Sequence, residues 1–146
     1  MKKTHYTVGF LFDQKKERVL LIRKNRPKWQ AGRLNGVGGH VEEGETADVC
    51  MHREFHEEVW YNFLLAPKWH HYAQMESSEF IIDCFAATGD VSACHGKTDE
   101  PVEIIDVKQI NGLRVTDMIE NLPWLIAMAI DFLEDGRPAF ANIKYV

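Results

Sequence analysis

A chain of 146 residues has room for one domain, spanning 1–146, and not for two. With 45% apolar and 27% charged residues it falls in the range of folded domains, which excludes a disordered, collagen-like or coiled-coil state. The net charge of −5, from 17 basic and 22 acidic residues, argues against a basic surface for nucleic acid.

Tyr6, Val8, Phe10 and Phe12 alternate with Thr7, Gly9 and Leu11, a period of two that predicts a strand. The polar segment 13–17 predicts a turn. Residues 18–24, which carry Val19, Leu20, Leu21 and Ile22, predict a buried second strand, so the two form an N-terminal hairpin. A loop follows over 25–33, with Pro27 and Gly32. Segment 34–41 is glycine-rich and predicted extended, and Glu43 with Gly44 marks a turn. Thr46 suits an N-cap, and the residues from 47 to at least 59 predict a helix. Strands are expected at 67–75 and 79–87, a loop at 89–99 and a strand at 102–110. Asn121, Leu122 and Pro123 mark a helix start, since proline suits a first turn. That helix is expected to reach about Leu133 and stop before Gly136, with a last strand at 140–146. Strands and helices mix without a regular βαβ repeat. The expected class is α+β, a curved mixed sheet sandwiched between helices.

Three cysteines (Cys50, Cys84 and Cys94) form no C-x-x-C pair, so a reducing, cytoplasmic setting is expected rather than a disulfide framework. The longest apolar run, 122–130, is too short to span a bilayer. Asp13 interrupts the apolar stretch near the N-terminus, which predicts no secretory signal. The apolar face of 122–133 fits a core better than a membrane, and it is also the face a homodimer would use.

The charge is not evenly spread. Glu42, Glu43, Glu45, Asp48, Glu54, Glu57 and Glu58 stand against the single base Arg53, while the rest of the chain is close to neutral. On a helix, Ala47, Met51, Phe55 and Val59 form an apolar stripe, and Glu54, Glu57 and Glu58 project from one edge beside it. Like charges at Glu54 and Glu58 cost about 0.2–0.5 kcal/mol unless something neutralises them. A hard cation such as Mg²⁺ prefers carboxylate oxygen and bridges to substrate phosphates. The bland alternative is a solvated acidic helix face. Two neighbours weigh against it. Gly38 and Gly39 let backbone approach closely, and Glu45 is placed to pair with Arg53 and orient Glu54.

Gly39, five residues, Glu45, seven residues, then Arg53, Glu54, Phe55, His56, Glu57 and Glu58 resembles the signature of the Nudix hydrolases. Six of its seven fixed positions agree. Trp60 stands where the family has glycine, a residue that ends the helix in a left-handed conformation costing other residues about 1–2 kcal/mol. The helix is therefore expected to run on and end near Asn62. The resemblance implies an α/β/α sandwich and hydrolysis of a nucleoside diphosphate linked to another group. It implies Glu54, Glu57 and Glu58, with the Gly38 carbonyl, as ligands of Mg²⁺, for which Mn²⁺ can substitute. Gly39, Glu45 and Arg53 would be structural. Glu54 is one candidate general base. Some relatives use a glutamate outside the signature, and Glu100 is placed for that role, with Glu103 as runner-up.

For the substrate, Arg23, Lys24, Arg26, Lys28 and Arg33 offer a basic loop for a polyphosphate, with Arg23 the preferred contact. Segment 34–39 resembles mutator-type members that act on oxidised guanine triphosphates, where an asparagine at the place of Asn35 reads the purine. Trp29 or Trp124 could stack on the base. The alternatives are ADP-ribose or another nucleotide sugar or dinucleotide, and a non-catalytic module that senses a nucleotide. His52 and His56, four apart, lack the glutamate that a zinc-protease motif needs, since Arg53 follows His52. Both are expected at the surface.

Overall fold

In the computed structural model, residues 2–62, 64, 66–134 and 139–146 are described. Strand β1 (Thr4–Phe12) lies at the centre, with Thr7 through Phe12 buried on both faces. Its even positions Val8, Phe10 and Phe12 join one apolar cluster, and Leu11 joins the other. Strand β2 (Arg18–Arg23) pairs with it antiparallel, Leu11 opposite Leu20, as the expected hairpin. It divides in the same way, Val19 and Leu21 to one face, Leu20 and Ile22 to the other.

β3 (Leu34–Asn35) pairs with β2, whereas β4 (Val37–His40) pairs with the first half of β1, Tyr6 opposite His40 and Gly9 opposite Val37. The edge of β1 is thus shared, β4 along Tyr6–Gly9 and β2 at Leu11 and Phe12. The sheet forks there, and the chain crosses the fork at Gly36. Along its other edge β1 pairs in parallel with β7 (Phe80–Thr88) over all nine residues. β6 (His70–Glu76) lies antiparallel to β7, and β10 (Ala141–Lys144) parallel to β6. β9 (Val102–Asp106) closes the far edge of β2.

Helix α1 (Ala47–Glu58) packs Met51 and Phe55 on one face of this mixed sheet. Helix α2 (Leu122–Glu134) packs Leu122, Leu125, Ile126 and Ala129 on the other, the i, i+3, i+4, i+7 pattern of an amphipathic helix. Each such large side chain contributes about 1.5–3 kcal/mol when fully buried. The result is the three-layer α+β sandwich that the resemblance implied. No described helix is long and apolar enough to cross a membrane.

Three expectations need correction. The helix α1 does not run on to Asn62. It stops at Glu58, and Val59 is already extended (φ −129°, ψ 124°) as the first residue of β5 (Val59–Tyr61). Residues 89–99 are not all loop, because β8 (Cys94–Gly96) supplies the partner of β5, Trp60 opposite His95. The strand expected over 102–110 ends at Asp106, since its partner β2 begins at Arg18, directly opposite, and 107–112 turn into a 3-10 helix. Gly136, the expected stop of α2, lies outside the described residues.

Candidate active site

Thr46 caps α1 as expected, its hydroxyl accepting from the Val49 N–H at 3.2 Å. The helix then lies against β4, and the glycines there have a steric reason. A Cβ on Gly38 would fall 1.9 Å from the Thr7 carbonyl oxygen of the paired strand, and one on Gly39 would fall 2.3 Å from Oε1 of Glu54. The Glu54 carboxylate therefore rests directly on the backbone of the glycine turn. That is the close approach expected of Gly38 and Gly39.

Arg53 organises the acids. Its Nε and Nη2 donate to the two oxygens of Glu45 at 2.7 and 2.9 Å, a bidentate fork. Nη1 donates to Glu54 at 3.0 Å and to Glu57 at 3.2 Å, and Nη2 also to the His40 carbonyl at 3.0 Å. The Arg53 hydrogen bonds, together with the Glu42 backbone N–H, hold the Glu45 carboxyl down at about 2. In return the guanidinium is held above its ordinary value, first by the Glu45 hydrogen bonds.

Glu58 contrasts with Glu45. Its carboxyl is pushed up to about 8, mainly by burial, with the charges of Glu54 and Glu100 adding and Lys24 opposing. A hydrogen bond to Glu54 favours the protonated form further. Glu57 lies at the open side, with 55% of its side chain exposed. Among the described residues no three His, Cys, Asp or Glu side chains are gathered as a ready-made ligand set. Arg53 instead holds Glu54 and Glu57. The donors themselves are all hard oxygens, and the excess negative charge around Glu58 is what a dication would relieve. The set suits Mg²⁺ or Mn²⁺ in kind, once Glu57 swings off the guanidinium.

Glu100 comes to the same cluster, only 5% exposed. Its oxygens are already engaged. Oε2 accepts from the backbone N–H of Asn25 at 2.6 Å and of Arg26 at 3.3 Å, and Oε1 from Lys24 Nζ at 3.1 Å. These donors outweigh burial and hold its carboxyl below the usual range. Glu103 is not part of the cluster. It forms a two-bond pair with Arg23, at 2.6 and 2.9 Å, and Arg23 Nη1 also donates to the Gly32 carbonyl at 3.0 Å. The guanidinium that was the preferred phosphate contact is thus already committed within the protein.

Lys24 was missed as the cation at the heart of the site. Its side chain is 14% exposed between Glu100 and the charge of Glu58. Strand parity carried the signal, since Ile22 and Lys24 share the α1 face while Arg23 points with Leu21. Asn35 is engaged locally, its amide donating to Gln30 at 3.2 Å and its oxygen accepting from the Gly36 N–H at 2.8 Å. Trp29 is 63% exposed on the loop before β3, whereas Trp124 is 39% exposed on α2, the helix across the sheet from the acids. His52 and His56 are exposed, as expected.

Comparison with known proteins agrees with this geometry. The NUDIX domain family model matches residues 3–125. No curated protein sequence matches significantly. Among solved structures, a NUDIX hydrolase from Nitrosomonas europaea is similar with a TM-score of 0.70 at 16% identity, over 99% of this chain and 81% of that one. A MutT from work on the Aliivibrio salmonicida and Vibrio cholerae proteins gives 0.69 at 20% identity, over 90% of this chain and 100% of that one. A mutator MutT protein from Bacillus halodurans gives 0.65 at 17% identity, over 98% and 90%. At such identities the structural likeness speaks for the fold. The family rests on the match over most of the chain, together with the signature whose Arg53, Glu54, Glu57 and Glu58 stand on α1 beside the glycine turn. The chain belongs to the Nudix family, hydrolases of nucleoside diphosphate derivatives that generally work with divalent metal ions, and is an enzyme of the Nudix pyrophosphohydrolase type.

Proposed function

We propose that the enzyme hydrolyses a purine nucleoside triphosphate, oxidised purines included, to the nucleoside monophosphate and pyrophosphate, with Mg²⁺ as its metal and Mn²⁺ as a substitute. The observation that carries this is the Glu54 carboxylate set against Gly39 beside Glu58, whose carboxyl is lifted by burial first and by the charges of Glu54 and Glu100 in addition. Glu54, Glu57 and Glu58, with the Gly38 carbonyl, would hold the metal. Bound there, Mg²⁺ would offset charge on the diphosphate and lower the pKa of a coordinated water.

The protein's own groups do the rest. Arg53 fixes Glu54 against the glycine turn, so its carboxylate has one orientation. A base must take a proton from the attacking water while the departing phosphate group keeps the electron pair of the broken P–O bond. Glu54 and Glu100 are the two candidates; Glu100 is the more heavily engaged, with three donors on its oxygens against the bonds of Glu54 to Arg53 and Glu58. Arg26, Lys28 and Arg33 supply positive charge around the loop, and Trp29 offers an exposed ring for the base. Asn35 has the donor and acceptor needed for a purine edge once it leaves Gln30. The net charge of −5 argues against nucleic acid as the partner, and three free, buried cysteines fit a reducing cytoplasm. A homodimer, if formed through α2, would cover Trp124.

The test is a panel of nucleoside triphosphates, oxidised guanine triphosphate, ADP-ribose, nucleotide sugars and dinucleotides, each with Mg²⁺, Mn²⁺ or a chelator. The expected result is pyrophosphate release from purine triphosphates that the chelator abolishes. Turnover only on ADP-ribose, sugars or dinucleotides would move the assignment to those substrates. Tight nucleotide binding with no turnover would leave a sensing module.

A further inference from the structure

The signature places glycine where this chain has Trp60, and that glycine normally ends the helix. Here α1 nevertheless stops abruptly at Glu58, in the turn that carries both Glu57 and Glu58. Trp60 takes no left-handed conformation, since Lys16 is the one non-glycine described with positive φ. Something else must satisfy the last carbonyls of the helix, which have no partner within it.

Lys97 does so. Its backbone N–H donates to the Glu58 carbonyl at 3.0 Å, and its ammonium donates to the His56 carbonyl at 2.9 Å. A cation at a helix C-terminus is also favoured by the helix dipole. The ammonium is held from the other side by Trp60, with Nζ 4.0 Å from the ring centroid. β8 delivers Lys97 to this spot by pairing with β5, Val59 opposite Gly96. Trp60 is therefore the platform for the lysine that does the work of the missing glycine. The tie continues along the chain. Asp99 bonds Arg26 and Asn25, and Glu100 accepts from Asn25, Arg26 and Lys24. Residues 97–100 thus strap the end of α1 to the start of the basic loop.

We propose that Lys97 is a positioning residue for the metal-binding glutamates: by ending α1 at Glu58, it sets where Glu57 and Glu58 stand relative to Glu54 and Gly38. This rests on the metal role given to those glutamates above. It does not make Lys97 catalytic, since it touches helix carbonyls and Trp60.

The test uses K97M, which keeps the stem and loses the ammonium, and K97R, which keeps a cation able to donate and to lie on Trp60. Amide hydrogen exchange of the metal-free protein is read at Val59, whose N–H bonds the Phe55 carbonyl. Mn²⁺ binding is then titrated, and kcat and KM are compared. Losing a charge-assisted cap should speed exchange at Val59 and weaken Mn²⁺ binding by about tenfold each, with kcat falling and KM little changed. K97R should recover most of both. Should K97M fail to fold, K97Q, which retains one donor, reads the same quantities. Unchanged exchange or unchanged Mn²⁺ binding in K97M overturns the proposal, as does a loss that K97R does not recover. A wild-type protein that binds no Mn²⁺ would instead overturn the metal reading itself, and the exchange measurement keeps the two failures apart.

Discussion

The two helices cover opposite faces of one sheet and are built for opposite purposes. α2 buries Leu122, Leu125, Ile126 and Ala129, and its only described charges are Asp131 and Glu134, close to its end. α1 has three buried residues, Cys50, Met51 and Phe55, and gives its remaining edge to Arg53, Glu54, Glu57 and Glu58. One face of the sheet is thus held mainly by apolar burial. The other couples a thin apolar stripe to a charge cluster that opposes folding unless it is neutralised. Stability and chemistry are divided between the faces, so substitutions on the two helices should separate the two properties.

The largest effect is expected from Glu58→Gln. Under the metal role proposed for Glu58, its loss forfeits several kcal/mol of transition-state stabilisation, so kcat should fall on the order of 10³-fold. The metal-free variant should melt no lower than the wild type, because a neutral amide avoids the cost of burying the Glu58 carboxyl beside Glu54 and Glu100. The pH dependence sharpens this. The Glu58 carboxyl titrates higher folded than unfolded, so between roughly pH 4.5 and 8 the folded state holds the extra proton, and stability falls as pH rises. The metal-free wild type should lose melting temperature across that window, and Glu58→Gln should lose less. Equal slopes would show that Glu58 is not the group responsible.

Leu125→Ala is the counterpart on α2. Leu125 is 1% exposed, and Tyr72 donates its hydroxyl to the Leu125 carbonyl at 2.9 Å. A buried Leu→Ala change costs about 2–5 kcal/mol. Chemical denaturation should show that loss, while kcat of the folded fraction stays within about twofold. A collapse of kcat at unchanged stability would break the division between the faces.

Much of this division is legible in the residues. The local patterns place β1, β2, β6, β7, α1 and α2 within a few residues, most firmly β1 and α2, whose apolar repeats are the longest. The acid cluster is visible from spacing alone, since i, i+3, i+4 is a property of any helix. The end of α1 is not. It depends on Lys97, 37 positions beyond Trp60, and no local pattern announces a strand as short as Cys94–Gly96. Its place at the strand end singles out Arg23 as a phosphate contact, yet parity continued one residue past β2 separates it from Lys24, which falls on the face of Leu20 and Ile22. The partner of Arg23 is across a strand pair, at Glu103, which spacing along the chain cannot reveal.

Glu100 marks the seam between the two kinds of role, and its substitution should loosen the basic loop more than it slows the chemical step. A general base needs a lone pair free to take a proton from water. Glu100 gives its oxygens to the N–H groups of Asn25 and Arg26 and to Lys24, an arrangement that anchors the loop. In Glu100→Gln one acceptor becomes an amide donor facing donors, so about 1–3 kcal/mol of stability should be lost. Because the folded carboxyl titrates below its unfolded value, its contribution is present above the unfolded pKa and disappears as pH falls through the folded one. The stability gap between variant and wild type should therefore close in acid. If Glu100 is the anchor, KM should rise as the basic loop loosens, while kcat and its acidic limb stay near the wild-type profile. If it is the base, kcat should fall by about 10²–10⁴-fold and the acidic limb should vanish. That split in the kinetics, more than the size of either change, decides whether Glu54 alone faces the attacking water.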